Sequence, residues 1–231
     1  MKKFLILSIF FLSIQQVSSQ NFLDELNKIK DSILNLDIKE RSMTATVDAI
    51  GKSKSEIFSI INKWVSINYN SANDVIQMND KESGIMIVKG LSTVSFINPT
   101  RAIYPKTKAI PIESKMLLNH LLEIKVKDNK YRLIYTISSI ADNTPKNTMY
   151  TNPNTFSCIN FKGVTEESIG KFNYYWKEYF KKSMMSKKRQ VKYLALSKPT
   201  FDEINIKIAL SFVSNFNSIT KMVNESSNDD W

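Results

Sequence analysis

The chain has 231 residues, 42% of them apolar and 23% charged, with 32 Lys and Arg against 22 Asp and Glu and a formal net charge of +10. That size and balance describe one main globular domain with a modest appendage, and exclude a disordered chain. One Cys and one His exclude a disulfide-stapled scaffold, a Cys-rich zinc site and a multi-histidine metal cage.

The chain opens with Met1-Lys2-Lys3 followed by an apolar run, Phe4 to Ile14, then Gln15, Gln16, Val17, Ser18, Ser19 and Gln20. A positive start, a short apolar core and small residues at Val17 and Ser19 make a secretory signal peptide cleaved before Gln20. The competing readings are an uncleaved anchor or a buried strand, but the run falls short of the ~20 residues a membrane span needs. No Cys stands near the cleavage point, so the bacterial lipoprotein route is closed. Export to the periplasm or exterior is the expectation. Cleavage leaves 212 residues with a net charge of +8, because Lys2 and Lys3 depart with the leader.

Residues 20–41 read as a leading helix, with Phe22, Leu26, Ile29 and Ile33 on one face over 21–36. Met43–Ile50 has β-type residues in partial alternation. Ser53-Lys54-Ser55-Glu56 has the capping-box spacing, and Ile57, Ile60, Ile61, Trp64 and Val65 recur at helical intervals, predicting a helix over 53–69. Val75–Met78 and Ile85–Gly90 flank a turn ending in Gly84, a hairpin that Thr93–Ile97 extends. Pro99–Pro111 reads as a loop. Leu122, Ile124 and Val126 alternate with polar residues, Asp128-Asn129 supplies a turn, and Tyr131, Leu133, Tyr135 and Ile137 alternate back. Residues 143–165 form an irregular connection, with one short strand expected around Phe156–Phe161. A helix over 166–192 carries acids at its start, lysines at its end and an aromatic stripe of Phe172, Tyr175, Trp176, Tyr179 and Phe180. Pro199 breaks the chain, and Thr200–Glu203 caps a last helix over 200–223. Residues 224–231 are a polar tail. Cys158, between apolar neighbours, reads as a small buried hydrophobe.

Four stretches carry a resemblance: Val47 to Ile57, Lys63-Trp64-Val65, Val75 to Gly84, and Ile124 to Arg132. They resemble the exported family known as domain of unknown function 4468, found mainly in Bacteroidota. The resemblance covers about residues 43–142. It implies an α+β fold: a TATA-binding-protein-like β-α-β4-α antiparallel sheet, residues 42–142, backed by helices. The proline-rich loop between the hairpins and the C-terminal helical extension at 166–223 depart from the family pattern. Four or five strands are expected, packed on the 53–69 helix and on helix 166–192. The family brings no catalytic residue to transfer.

The candidate chemistry is sparse. Lys181, Lys182, Lys187, Lys188, Arg189 and Lys192 form a cationic run without an acid. Such a run can neutralise phosphates. On a helix of an exported chain, however, it favours an anionic membrane surface over nucleic acid, which is not an expected partner. For the aromatic stripe itself, packing in the core is favoured over an interfacial role, since aromatics at helical spacing usually face the core. A second candidate surface is the polar sheet face with Lys125, Lys127 and Arg132. His120 reads as a surface or edge histidine, and no Gly-x-Ser-x-Gly elbow, phosphate loop or zincin pattern occurs. No cofactor or metal is expected. The reading is a non-catalytic exported binding module for an envelope or extracellular component. A membrane-apposed protein is second and a hydrolase third.

Overall fold

A computed structural model describes residues 24, 27–28, 35–69, 72–145 and 152–226, without the side chains of 72 and 73. The expected leader, most of the expected leading helix and most of the expected polar tail lie outside the described residues.

Six strands form one antiparallel sheet: β1 (Leu36–Ile38), β2 (Ser42–Asp48), β3 (Ile76–Asp80), β4 (Ile85–Ile97), β5 (Glu113–Lys127) and β6 (Lys130–Ile140), in the order β1-β2-β6-β5-β4-β3. The expectation of four or five strands therefore falls short. Part of the difference is Leu36–Ile38, which pairs with Met43–Ala45 as an edge strand instead of ending a leading helix. The turn residue Asn35, at φ 61°, stops any helix from running into it.

Helix α1 (Lys54–Asn68) follows β2. Its start is fixed by the expected capping box, in which the Glu56 N–H donates to the Ser53 hydroxyl and the Ser53 N–H donates 2.7 Å to the Glu56 carboxylate. Asp128 in the β5–β6 turn accepts from the Lys54 N–H at 2.7 Å, so the helix entry is tied to the sheet. Ile57, Phe58, Ile61, Trp64 and Val65 are buried against the sheet's inner face. A four-residue helix, α2 (Ala72–Val75), precedes β3. Asn98 then caps α3 (Pro99–Ile103), so the stretch read as a loop holds a short helix.

Strand β5 is fifteen residues long and begins well before Leu122. Met116, Leu118, His120, Leu122, Ile124 and Val126 all face inward and are buried. Lys115, Leu121, Lys125 and Lys127 face out. Period-two alternation over a half-buried sheet accounts for the pattern.

The C-terminal part departs most from expectation. Phe156–Cys158 is a 3₁₀ turn, not a strand. Buried Cys158, Ile159 and Phe161 join the common core. Helix α4 (Glu166–Lys181) is capped by Thr165 and stops at Lys182, and α5 (Lys187–Glu225) then runs unbroken for 39 residues through Pro199. The helical break thus falls at 182–186 and not at Pro199. The Thr200 hydroxyl donates to the Leu196 carbonyl at 2.8 Å instead of capping a new helix. Continuity is maintained by burial on both sides of the proline, with Tyr193, Phe201, Ile204 and Ile208 all inside.

The helix that covers the sheet beside α1 is α5, not the 166–192 segment. Trp64 donates to Ser218 at 2.9 Å and Tyr131 to Thr220 at 3.0 Å, while Tyr135 meets Phe212 edge to face. Helix α4 packs on α5, with Phe172 against Phe201 and Trp176 against Tyr193. The aromatic stripe is therefore mostly core: Phe172, Trp176 and Phe180 are buried and Tyr175 packs half-buried against them, leaving Tyr179 outside.

Candidate functional site

The sequence treats His120 as a surface residue; the structure buries it in the middle of β5, 4% exposed. The alternation from Met116 to Val126 placed it inside. The apolar outward residues Leu117 and Leu121 blurred that alternation. Across the sheet His120 stands opposite Gly90 of β4. On its other side the register slips by one residue. Asn119 faces Ser139 while His120 faces Ile137, which leaves Ser138 as the extra residue of a bulge.

The imidazole is held by hydroxyls. Nδ1 lies 2.9 Å from Ser92 Oγ and Nε2 lies 3.2 Å from the Tyr69 hydroxyl. Ser92 Oγ in turn lies 2.5 Å from the Tyr135 hydroxyl. The Tyr135 ring stacks on the imidazole, with centroids 4.5 Å apart. A neutral imidazole has one N–H, so two proton arrangements fit this chain. Either Tyr69 donates to Nε2 and Nδ1–H donates onward to Ser92, or the direction reverses. Burial sets the protonation: it lowers the His120 pKa to about 4 and raises that of Tyr69 to about 12. Burial also raises the Tyr135 pKa, partly offset by the Ser92 hydrogen bond. All three rings are neutral at neutral pH.

These residues line a cleft of about 500 Å³ between the end of α1, strands β4 and β5, and α5. Its polar walls come from Asn68, Tyr69, Ser92, Thr93, Ser211 and Asn215, and none bears a charge. Thr93, Ser211 and Asn215 make no side-chain hydrogen bond among the described residues. The cleft thus offers unspent donors and acceptors in a neutral setting.

The basic residues singled out from the sequence fall into two separate groups. Lys125, Lys127 and Arg132 lie exposed on the open sheet face near the β5–β6 turn. Lys125 pairs with Glu123 at 2.8 Å, and Arg132 donates to Thr46 at 3.3 Å. Lys181, Lys182, Lys187, Lys188 and Arg189 surround the α4–α5 elbow, beyond the opposite end of β5. Lys181 pairs with Glu178 at 2.6 Å, and the Arg189 guanidinium sits 4.7 Å over the Tyr104 ring. The structure brings neither group to the His120 cleft.

Cys158 is buried and free, its thiol pushed up to about 11 by burial. Among the described residues no three His, Cys, Asp or Glu side chains converge on a metal position, and no helix is long and apolar enough to cross a membrane.

From β2 onward the element order is strand, helix, four strands, then helices, with the first strand paired to the last. Residues 44–143 match the family described as "Domain of unknown function (DUF4468) with TBP-like fold". That stretch is similar to the DUF4468 family. Its fold is α+β and TBP-like, with β1 added at the edge of the sheet. Two crystal structures are similar over most of the chain. A DUF4468 family protein from Bacteroides ovatus has 12% identity and a TM-score of 0.46, covering 87% of this chain and 94% of its own. A TBP-like protein from Parabacteroides distasonis has 16% identity and a TM-score of 0.42, covering 80% of this chain and 94% of its own. A search of the curated proteins finds no match.

Proposed function

We propose that this protein is an exported, non-catalytic binding module for an envelope or extracellular component, and that the His120 cleft seats a neutral ligand rich in hydroxyl or amide groups. The observation that carries this reading is the uncharged polar lining of the cleft. An ionic ligand would enter it without a counter-charge and lose its hydration, which is costly. A neutral ligand would meet Thr93, Ser211 and Asn215 with hydrogen bonds and Tyr69 with an aromatic ring.

The hydrolase reading has a Ser–His contact in its favour, but the contact is built the wrong way for it. A serine nucleophile needs a neighbouring base that accepts its proton near working pH, oriented by a third group. Here the ring nitrogens meet two hydroxyls and no carboxylate, and burial makes His120 a weak base with a pKa of about 4. Ser92 is also engaged by Tyr135. The arrangement is suited to fixing a wall of the cleft.

The test is a titration of the protein with neutral oligosaccharides, followed by NMR of the His120 imidazole and the Asn215 side-chain amide. Sulfated saccharides serve as the charged comparison. Saturable shifts at both groups with neutral sugars, with the His120 shift abolished by Asn215→Leu, support the reading. Shifts confined to the sulfated members would sink it. Slow chemical turnover of any sugar in the same tubes would return the hydrolase reading to first place.

A further inference from the structure

We infer that the α4–α5 elbow docks the protein on an anionic membrane surface. This surface is separate from the His120 cleft, and the inference stands whether or not that cleft binds a sugar. The elbow is the five-residue connection from Lys182 to Ser186. At its centre Met184 is fully exposed. A long apolar side chain held wholly in water on a helical connection has no packing purpose inside the fold. Val191, one turn into the exposed side of α5, and Tyr179, near the end of α4, are also more than half exposed.

Cations flank these apolar tips. Lys182 stands on one side of Met184, with Lys187 and Lys188 on the other, all exposed. No acid occurs between Glu178 and Asp202, and Glu178 is already paired with Lys181. The combination of apolar tip and lysine collar is what an anionic bilayer selects. The tip enters the headgroup region while the ammonium groups face the phosphates.

Behind the tip lies a cleft of about 370 Å³ lined by Tyr104, Trp176, Tyr179, Phe180 and Met184 among others. Trp176 forms part of its wall, and its buried indole N–H meets no acceptor among the described residues. The burial of Phe172, Trp176 and Phe180 rules out helix α4 lying flat in the interface, so the contact belongs to the elbow. Double-stranded nucleic acid offers phosphates, but it would receive Met184 only by unstacking a base step, which a bilayer does not require.

The experiment is co-sedimentation of the mature protein, beginning at Gln20, with vesicles of phosphatidylcholine alone or mixed with phosphatidylglycerol, at low and high salt. Binding is expected only to the anionic vesicles, weakening as salt rises. Lys187→Gln with Lys188→Gln should weaken it about 30-fold, since each lysine near an anionic surface contributes about fivefold. Met184→Asp should weaken it further. Lys125→Gln with Lys127→Gln, at the other end of the sheet, should change it little. These side chains are exposed, so the variants should keep the parent circular dichroism spectrum. Equal binding to neutral vesicles, equal losses from both lysine pairs, or indifference to Met184→Asp would each overturn the inference. So would salt-sensitive binding to a DNA duplex with none to anionic vesicles.

Discussion

The Cβ that Gly90 lacks would lie 2.4 Å from Nε2 of His120 and 2.7 Å from a ring carbon of Tyr69. Glycine at this strand position lets the imidazole lie across β4 and reach Tyr69. Gly90→Ala must therefore displace one ring or both. Overpacking of this kind costs about 1–3 kcal/mol. With His120→Ala in the background, the imidazole contact disappears and only the clash with Tyr69 remains. The two changes should then be non-additive, with a coupling of about 1 kcal/mol or more between contacting residues. Urea midpoints of the four proteins in this cycle provide the measurement, and strict additivity would show that the ring does not depend on Gly90.

The same histidine sets a pH window. Its pKa is about 4 in the fold and about 6.5 when exposed, so the unfolded chain binds more protons between those values. The neutral-His contribution is complete above pH 6.5 and is lost as pH falls towards 4. A shift of this size corresponds to about 3 kcal/mol. Asp202, raised by burial despite its bond to Lys198, pulls in the opposite direction over the carboxylate range. Replacing His120 with Gln removes the first effect and leaves the second. Between pH 7 and pH 4.5 the parent should lose markedly more stability than His120→Gln. Parallel pH profiles for the two proteins would contradict the burial argument.

The entry to α1 gives a smaller, local prediction. The capping box satisfies two backbone N–H groups that the helix itself cannot. Ser53→Ala removes the hydroxyl that accepts from the Glu56 N–H and donates to the Glu56 carboxylate, while the backbone N–H of residue 53 keeps its carboxylate acceptor. A loss of about 1 kcal/mol is expected. Glu56→Gln retains the box and should cost less, and the denaturation midpoints of the two variants should rank in that order.

The legibility of these features tracks how local their causes are. The capping box, the turn at Gly84 and the alternation from Tyr131 to Ile137 are written in consecutive residues, and the fold reproduces each. His120 was misplaced because its burial depends on β5 starting at Glu113, within a run where Leu117 and Leu121 point outward and mask the period. Its partners Ser92, Tyr69 and Tyr135 sit on three other elements, and no spacing in the chain announces their meeting. The basic residues at the elbow were visible as a run. Their separation from the buried aromatic stripe was not, because it depends on which face of α4 meets α5.

Pro199 shows the opposite failure, a strong local signal overridden by packing. Proline removes one helical N–H and crowds the carbonyl one turn back, at a cost of about 3 kcal/mol in a helix interior. Yet α5 continues through it, with the Ser197 hydroxyl bonded to the Tyr193 carbonyl and the Thr200 hydroxyl to that of Leu196. Such back-bonding relieves neighbouring carbonyls and bends helices. It leaves the Ala195 carbonyl without its usual Pro199 partner. Pro199→Ala restores that bond without adding bulk. The variant should be more stable by about 1–3 kcal/mol, read as a higher urea midpoint with unchanged helical circular dichroism. A lower midpoint would mean that the proline's local geometry helps one helix seat Tyr193 on Trp176 before it and Phe201 on Phe172 after it. In that case buried Phe201 should lose its edge-to-face contact with Phe172 in the variant.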